Sequence, residues 1–467
     1  MEPIRLEMLL RTFKTEFLGY RNEEFLNIST DSRVVTERGI FFALSGERFD
    51  GHDFVNQAID NGNIGVVVNR GRVEYVKSQM GRRFQETTLF AVPDTLRALG
   101  DLAAAYLNSK KVTRIAITGS CGKTTTKELL ASMLSVNHKT LKTEGNYNNL
   151  IGLPLTAFRV DSNIEYAVFE MGMNAFQEIK RLTEIASPNI AMITNVREAH
   201  LEGVGSVEGV LDAKWELFEN SKEECICVIN LDDERIAGRA ESLKRKKVTC
   251  SKNKDADITL QSEPIIHSDY TDLRLRIGSR SIPIRLKIAG VHNIDNLLLA
   301  AAGAHAAGLT IEEIKEGAEA VRPVKGRMNI IRLSSITLID DTYNANPSSM
   351  EGALRFLSSQ NAEQRIAVLA DMLELGMDSY RLHQRIGEII ATLGNIDALI
   401  LLGREVVAIR DGAVKSGYAQ DRIFMAVNHS DAVSIIKKLA HNQAWVLIKG
   451  SHSMNMEKVV EELRAIF

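Results

Sequence analysis

Residues 112–134 read VTRIAITGSCGKTTTKELLASML. The β-branched run VTRIAIT has the composition of a buried strand, and the apolar residues that follow Lys127 recur at helical spacing. Between them lies a turn with glycine at 119 and 122, followed by Lys123 and Thr124. A strand, a glycine turn and a helix start in this order form a phosphate cradle, because first-turn amides converge on an anion. The strict pattern G-x-x-x-x-G-K-[ST] is not met, since Ile117 stands where its first glycine would be. The physical requirements survive. Gly119 and Gly122 permit tight turning, Lys123 supplies a point charge, and the Thr124 hydroxyl suits Mg²⁺. The alternative is a plain turn with a solvated lysine, which GKTTT directly after a strand disfavours.

Outward from this stretch, strands and helices alternate. YAVFEM, NIAMITNV and CICVIN read as strands, and 123–137, 175–186 and 207–219 as helices. After the Pro/Gly-marked junction RPVKGRMNIIR the alternation resumes with RIAVLAD, IDALILLG, RIFMAV and AWVLIKG. Alternation of this kind predicts parallel sheets with crossover helices. Residues 1–90 mix short strands with turns. The expectation is therefore an α/β protein of three domains. A small mixed α/β domain (1–90) precedes a central P-loop ATPase-like domain with a mainly parallel sheet (91–322). A Rossmann-like α/β domain (323–467) follows, with a hinge at 323–327 around Gly326.

The 467 residues exceed one ordinary core. With 57 Lys+Arg against 60 Asp+Glu, the net charge of −3 offers no basic field for nucleic acid. No stretch approaches the ~20 apolar residues of a membrane span, and MEPIRLEMLLRTF is a poor signal peptide. Cys225 and Cys227 lie two apart in a predicted strand without a nearby His/Cys pair, so buried free thiols are expected, as in a reducing cytoplasm.

Ligands in open α/β sheets gather at the carboxyl ends of strands. Glu170 closes one strand and His200 follows another, so both could share a rim with Thr124. Taken singly, Glu170 also fits a helix-start carboxylate and His200 a loop histidine. Lys214, within GVLDAKWELF, has Val210, Leu211, Leu217 and Phe218 as apolar neighbours. It fits a snorkelling surface lysine, or a desolvated amine that has captured CO₂ as a carbamate.

TGSCGKTTTKE, NYNNLIGLP, FEMGM, TNVREAHLE, AKWELF, GVHNIDNLLLAAA, GRMN and DDTYNANPSSM occur in the order seen in Mur ligases, which the chain resembles over nearly its whole length. DDTYNANPSSM with ADMLELG resembles the branch that joins D-alanyl-D-alanine to UDP-N-acetylmuramoyl-tripeptide in peptidoglycan precursor synthesis. The resemblance implies an ATP-dependent amide ligase working through an acyl phosphate, cytoplasmic and monomeric. It implies that Gly119, Ser120, Cys121, Gly122, Lys123, Thr124 and Thr125 wrap the ATP phosphates, with Asn149 near the γ-phosphate. Asn293, Asn296, Arg327 and Asp341 would meet adenosine and phosphate. Thr124 and Glu170 would hold one Mg²⁺, and His200 with carbamylated Lys214 a second; Lys123, Glu170, His200 and Lys214 form the implied catalytic set. Ser32, Arg33, Asp50, Gly51 and His52 match the uridine-nucleotide module. Asp371, Ser451 and His452 fall in the amine-binding domain, where Ala370 replaces a frequent glycine and His452 a frequent arginine. The competing readings are a related Mur-type or folylpolyglutamate-type ligase with another amine, and a nucleotide-dependent binding module without ligase activity.

Overall fold

A computed structural model describes residues 1–46 and 48–467. At its centre is a ten-stranded sheet in which strand Thr113–Thr118 lies between Ile190–Ile193 and Tyr166–Glu170. Seven strands run parallel, in the spatial order 258–260, 247–251, 226–230, 190–193, 113–118, 166–170, 140–142. Strands 265–266, 271–277 and 280–286 extend one edge antiparallel. Thr113–Thr118 is the first of these strands in the chain. Its successors are laid down on both sides of it, so the loop after Thr118 sits where the winding reverses, the position at which open α/β sheets form a crevice.

Side-chain alternation along this strand explains its buried place. Ile115 and Ile117 pack with Leu129, Leu130 and Met133 of helix Lys123–Leu134 and with Leu297 of helix His292–Ala306. Ala116 points to the other face, among Leu99, Leu102, Ile179, Leu182, Val210 and Leu217. Those residues belong to helices Thr95–Asn108, Glu178–Ala186 and Val207–Asn220. The predicted helix at 175–186 thus begins at Glu178, because Gln177 stands left-handed at φ 71°. The helix from 123 ends at Leu134 and the one from 207 at Asn220.

The third region builds a six-stranded sheet in the order 329–332, 336–341, 444–449, 364–370, 398–402, 423–426, parallel except for the first strand. The N-terminal sheet has five strands, ordered 17–19, 88–92, 63–69, 39–42, 27–29, with only 17–19 antiparallel. Its strand Thr88–Val92 crosses position 90, so the sheet reaches two residues into what the sequence assigned to the centre. Among the described residues no helix is long and apolar enough to cross a membrane. All four cysteines are free, and Cys225, Cys227 and Cys250 are buried.

The phosphate-loop helix is braced from behind by helix Ile311–Ala320. Ser132 Oγ donates to the Gly317 carbonyl at 2.7 Å, and a Cβ on Gly317 would lie 2.2 Å from Met133 Cα. Gly317→Val should therefore lower stability by about 1–3 kcal/mol through overpacking. Gly238, also helical, has nothing within 4 Å of a Cβ, and Gly238→Ala should be neutral or stabilising by up to ~1 kcal/mol. Urea unfolding midpoints of the two variants check the contrast; equal midpoints would remove the brace.

Candidate functional site

The loop after Thr118 is shaped by two glycines that only glycine can supply. Gly119 has φ 150° and a Cβ there would sit 1.8 Å from Thr194 Oγ1; Gly122 has φ 80° and its Cβ would meet Asn296 Oδ1 at 2.1 Å. The segment after strand Ile190–Ile193 pins the loop. Asn195 Oδ1 accepts from the Cys121 amide at 3.0 Å, and Thr194 Oγ1 donates to the Cys121 carbonyl at 2.6 Å. Ser120 Oγ accepts from the Arg197 amide at 2.9 Å. The first-turn amides of helix Lys123–Leu134 are left without helical partners. Lys123 Nζ donates back to the Gly119 carbonyl at 2.6 Å. Burial depresses its pKa, which the nearby Glu170 partly offsets.

Glu170, at the end of strand Tyr166–Glu170, is 1% exposed. Burial alone would raise its pKa, but the charges of Lys127, Arg327 and Lys123 outweigh that and hold it below the usual carboxylate range. It accepts from Thr124 Oγ1 at 2.9 Å and from Asn148 Nδ2 at 3.0 Å, while Lys127 Nζ lies 3.6 Å away and donates to the Thr143 carbonyl. Arg327, from the third domain, donates to Thr124 Oγ1 at 2.8 Å and stacks 4.0 Å from the Tyr343 ring centre. Thr124 and Glu170 are two converging oxygen donors. Among the described residues no cluster of three or more His, Cys, Asp or Glu forms a full metal cage. That set fits Mg²⁺, which takes one or two carboxylates and completes its shell with water and phosphate oxygens.

These residues line one cavity of about 830 Å³ between the central and third domains. Gly122, Lys123, Thr124, Thr125, Asn149, Glu170, His200, Asn293, Asn296, Arg327, Asp341, Ser451 and His452 all reach it. Asn149 also holds the amides of Ile151 and Gly152 at the start of helix Gly152–Ala157. Asn296 donates to Asn293 Oδ1 at 2.8 Å, and Asn293 to the Ala289 carbonyl at 2.6 Å. Asp341 accepts from the buried Lys449 Nζ at 2.6 Å and from the Met328 amide. His452 packs on Tyr343, ring centres 5.4 Å apart.

His200 has φ 56°, and its Nδ1 lies 2.8 Å from Glu374 Oε2, poorly aligned for a hydrogen bond. Burial pushes the imidazole pKa down, favouring the neutral ring. Lys214 is 1% exposed on helix Val207–Asn220, which Ser206 caps. It is not a snorkelling lysine. Burial, with Lys123 nearby, holds its pKa well below the ordinary value.

Asp371 departs from expectation. It does not line the cavity; its carboxylate accepts from the amides of Arg404 and Val406, both at 2.9 Å, at the start of helix Val406–Lys415. Gly403 leaves room for it, since a Cβ there would be 2.3 Å from Asp371 Oδ1. None of the five uridine candidates lines the cavity either. Ser32 Oγ donates to Gln57, and Arg33 pairs with Asp31 at the surface. Asp50 bridges His52 Nδ1 at 2.5 Å and Arg72 at 2.8 Å. His52 Nε2 accepts from the Asn69 amide, so both ring nitrogens are engaged, and a Cβ on Gly51 would strike the Leu44 backbone. Sequence reading missed Asn148, Asn195, Glu374 and Lys449. All lie inside or beside motifs already singled out, but side-chain partners are not written in spacing.

Comparison with known proteins places the whole chain in one family. Family models described as Mur ligase family catalytic domain, Mur ligase middle domain, and Mur ligase glutamate ligase domain match residues 24–107, 117–304 and 326–452. The UDP-N-acetylmuramoyl-tripeptide–D-alanyl-D-alanine ligase of Bacillus subtilis is 33% identical over 448 residues, covering 95% of this chain and 94% of that protein. The chain belongs to the Mur ligase family. A crystal structure of MurF from Acinetobacter baumannii superposes with a TM-score of 0.90 at 31% identity, covering 100% of this chain and 99% of the other. The MurF ligase of Thermotoga maritima in complex with ADP gives 0.82 at 26% identity, over 94% and 97% of the chains.

In this Mur ligase the Lys449–Asp341 pair joins neighbouring strands of the third domain beside the cavity. Lys449→Met leaves a buried carboxylate without its cation and should cost about 3–5 kcal/mol. Thermal and urea unfolding check this, and unchanged stability would show that the pair does not hold Asp341.

Proposed function

We propose that the chain is the ATP-dependent ligase that joins D-alanyl-D-alanine to UDP-N-acetylmuramoyl-tripeptide in peptidoglycan precursor synthesis, releasing ADP and phosphate. The observation that carries this is the single cavity in which third-domain residues Arg327 and Asp341 face the phosphate loop, in a chain whose full-length relatives bear that ligase's name. A switch or binding module needs no third α/β domain over its phosphates. ATP, free thiols and the lack of a spanning helix among the described residues suit the cytoplasm.

A carboxylate is a poor electrophile. Attack of the tripeptide carboxylate oxygen on the γ-phosphorus of ATP gives an acyl phosphate and ADP; the dipeptide amine then displaces phosphate and an amide remains. The protein's work is positioning and charge neutralisation. Lys123 swings from the Gly119 carbonyl to the β- and γ-phosphates, and the first-turn amides cradle them. Arg327 adds charge from the third domain, whose approach excludes water from the acyl phosphate. Asn293 and Asn296 bind the adenosine side. Thr124 and Glu170 would hold Mg²⁺, which supplies Lewis-acid stabilisation of the transferring phosphoryl group when bound. The residues 1–90 take the uridine end, with Ser32, Arg33 and the Asp50–His52 turn as the candidate contacts, and Ser451 and His452 face the dipeptide.

Lys214 is read as the carbamate lysine, completing a second Mg²⁺ site with His200. What supports this is its burial and depressed pKa. Among the described residues its Nζ makes no ion pair or side-chain hydrogen bond. A neutral amine can attack CO₂, forming the N–C bond and losing one proton to solvent.

Lys123→Ala should lower ligation ~10²–10³-fold, the effect of one lost transition-state contact, with the fold intact by circular dichroism. Near-normal turnover would separate Lys123 from the phosphates. The function itself is tested with purified protein, ATP, Mg²⁺ and a panel of UDP-muramoyl peptides and dipeptides, with products read by mass. Absence of the D-alanyl-D-alanine adduct would overturn it. For Lys214, ¹³C-labelled bicarbonate should give a carbamate resonance that Lys214→Arg abolishes, since guanidinium cannot take up CO₂. A fully active, CO₂-depleted enzyme with unmodified Lys214 would sink the carbamate.

A further inference from the structure

The incoming dipeptide brings an α-ammonium into a cavity lined by Lys123, Arg197, Arg327 and Lys449. Cations repel it, so a carboxylate must receive it. Five carboxylates line the cavity: Glu170, Glu178, Asp295, Asp341 and Glu374. Four are committed. Glu170 is held by Thr124, Asn148 and Lys127. Glu178 accepts from the Asn174 amide at 2.6 Å, Asp295 pairs with Lys252 at 2.7 Å, and Asp341 pairs with Lys449. Among the described residues, Glu374 has neither a lysine or arginine partner nor a hydrogen-bonded backbone amide on its carboxylate, only the poorly aligned contact with His200.

Its placement is built. Glu374 lies in ADMLELG, in the turn that follows strand Gln364–Ala370 of the third domain. It has φ 63°, a left-handed conformation that a residue with a Cβ adopts at a cost. The turn is pinned on both sides. Leu373 N donates to Ser451 Oγ at 2.8 Å, Met372 N to His383 Nε2 at 3.0 Å, and across the domain boundary Glu202 N donates to the Glu374 carbonyl at 3.2 Å. The side chain stays half-exposed, on the same side of the cavity as His200.

We propose that Glu374 is the specificity residue for the amine substrate: its carboxylate binds the α-ammonium of the dipeptide and sets that nitrogen beside the phosphate loop. This rests on the ligase reading above. His200 hands the carboxylate over when the dipeptide arrives, and the pinned turn sets the distance from the nitrogen to the acyl carbon. The ammonium gives one proton to the carboxylate, which passes it to solvent, before the nitrogen lone pair attacks. Ser451 thereby acts on the amine indirectly, by holding the Leu373 amide.

The test is steady-state ligation by the full-length enzyme with ATP, Mg²⁺ and UDP-N-acetylmuramoyl-tripeptide, varying D-alanyl-D-alanine. Propanoyl-D-alanine, the same molecule without its ammonium, serves as competitor. Glu374→Gln should raise the dipeptide KM on the order of 10–100-fold, the worth of a hydrogen bond to a charged group. It should leave the Ki of propanoyl-D-alanine and the KM values for ATP and the UDP-peptide unchanged, and Glu374→Asp should restore part of the loss. An unchanged dipeptide KM overturns the proposal. So does a parallel rise in the Ki of propanoyl-D-alanine, which would mean a damaged turn, or a shift in Mg²⁺ dependence at constant dipeptide KM, which would mean that Glu374 serves only to orient His200. If the wild-type enzyme ligates no dipeptide, the functional reading itself fails and this inference falls with it.

Discussion

A carboxylate buried to 1% exposure is the constraint around which the rest is arranged. Taking an ion out of water costs several kcal/mol unless opposite charge and hydrogen bonds replace the solvent. Glu170 obtains both, and its partners come from different parts of the chain. Thr124 and Lys127 lie on the phosphate-loop helix, Asn148 on the next crossover, and Arg327 on the third domain through Thr124. The helix, strand and domain boundary are fixed relative to one another because they share the neutralisation of one group. The same need for cations suits the site to a metal and polyphosphate, which would redistribute those charges.

The second organising feature is the division of labour between domains. The central sheet supplies the loop at its winding reversal, and that loop is held by Thr194 and Asn195 of the adjacent strand end rather than by its own turn. The third domain supplies Arg327, Asp341 and the Glu374 turn. Ligation needs a site that opens for two large substrates and then excludes water. Residues of the central and third domains line the same cavity, so a change in their separation would open or close it.

Much of the fold was legible. The parallel strands at 113–118, 166–170, 190–193 and 226–230 follow from β-branched runs alternating with helical spacing, and so do the four of the third domain. The glycine turn between strand and helix was readable although the first glycine of the strict pattern is absent, because Gly119 and Gly122 retain the backbone freedom the turn needs. Lys214 was not readable from pattern. A lysine among apolar residues on a helix has the same spacing whether it snorkels or is buried, and only the packing around it decides. Asp371 lies off the cavity for a related reason. Two amides of the 404–406 segment, more than thirty residues away, claim its carboxylate.

The sequence by itself determined the local chemistry: which segments become strands, where the glycines let the backbone turn, and which residue types stand at strand ends. These depend on neighbours a few positions apart. The tertiary structure decided which charges meet. The Lys127–Glu170, Lys449–Asp341 and His200–Glu374 contacts span tens to more than a hundred residues of chain. Electrostatic energy depends on separation in space and on local exposure to water. Neither quantity is a function of spacing along the chain, so the charge pattern of the cavity exists only once the domains are folded against one another.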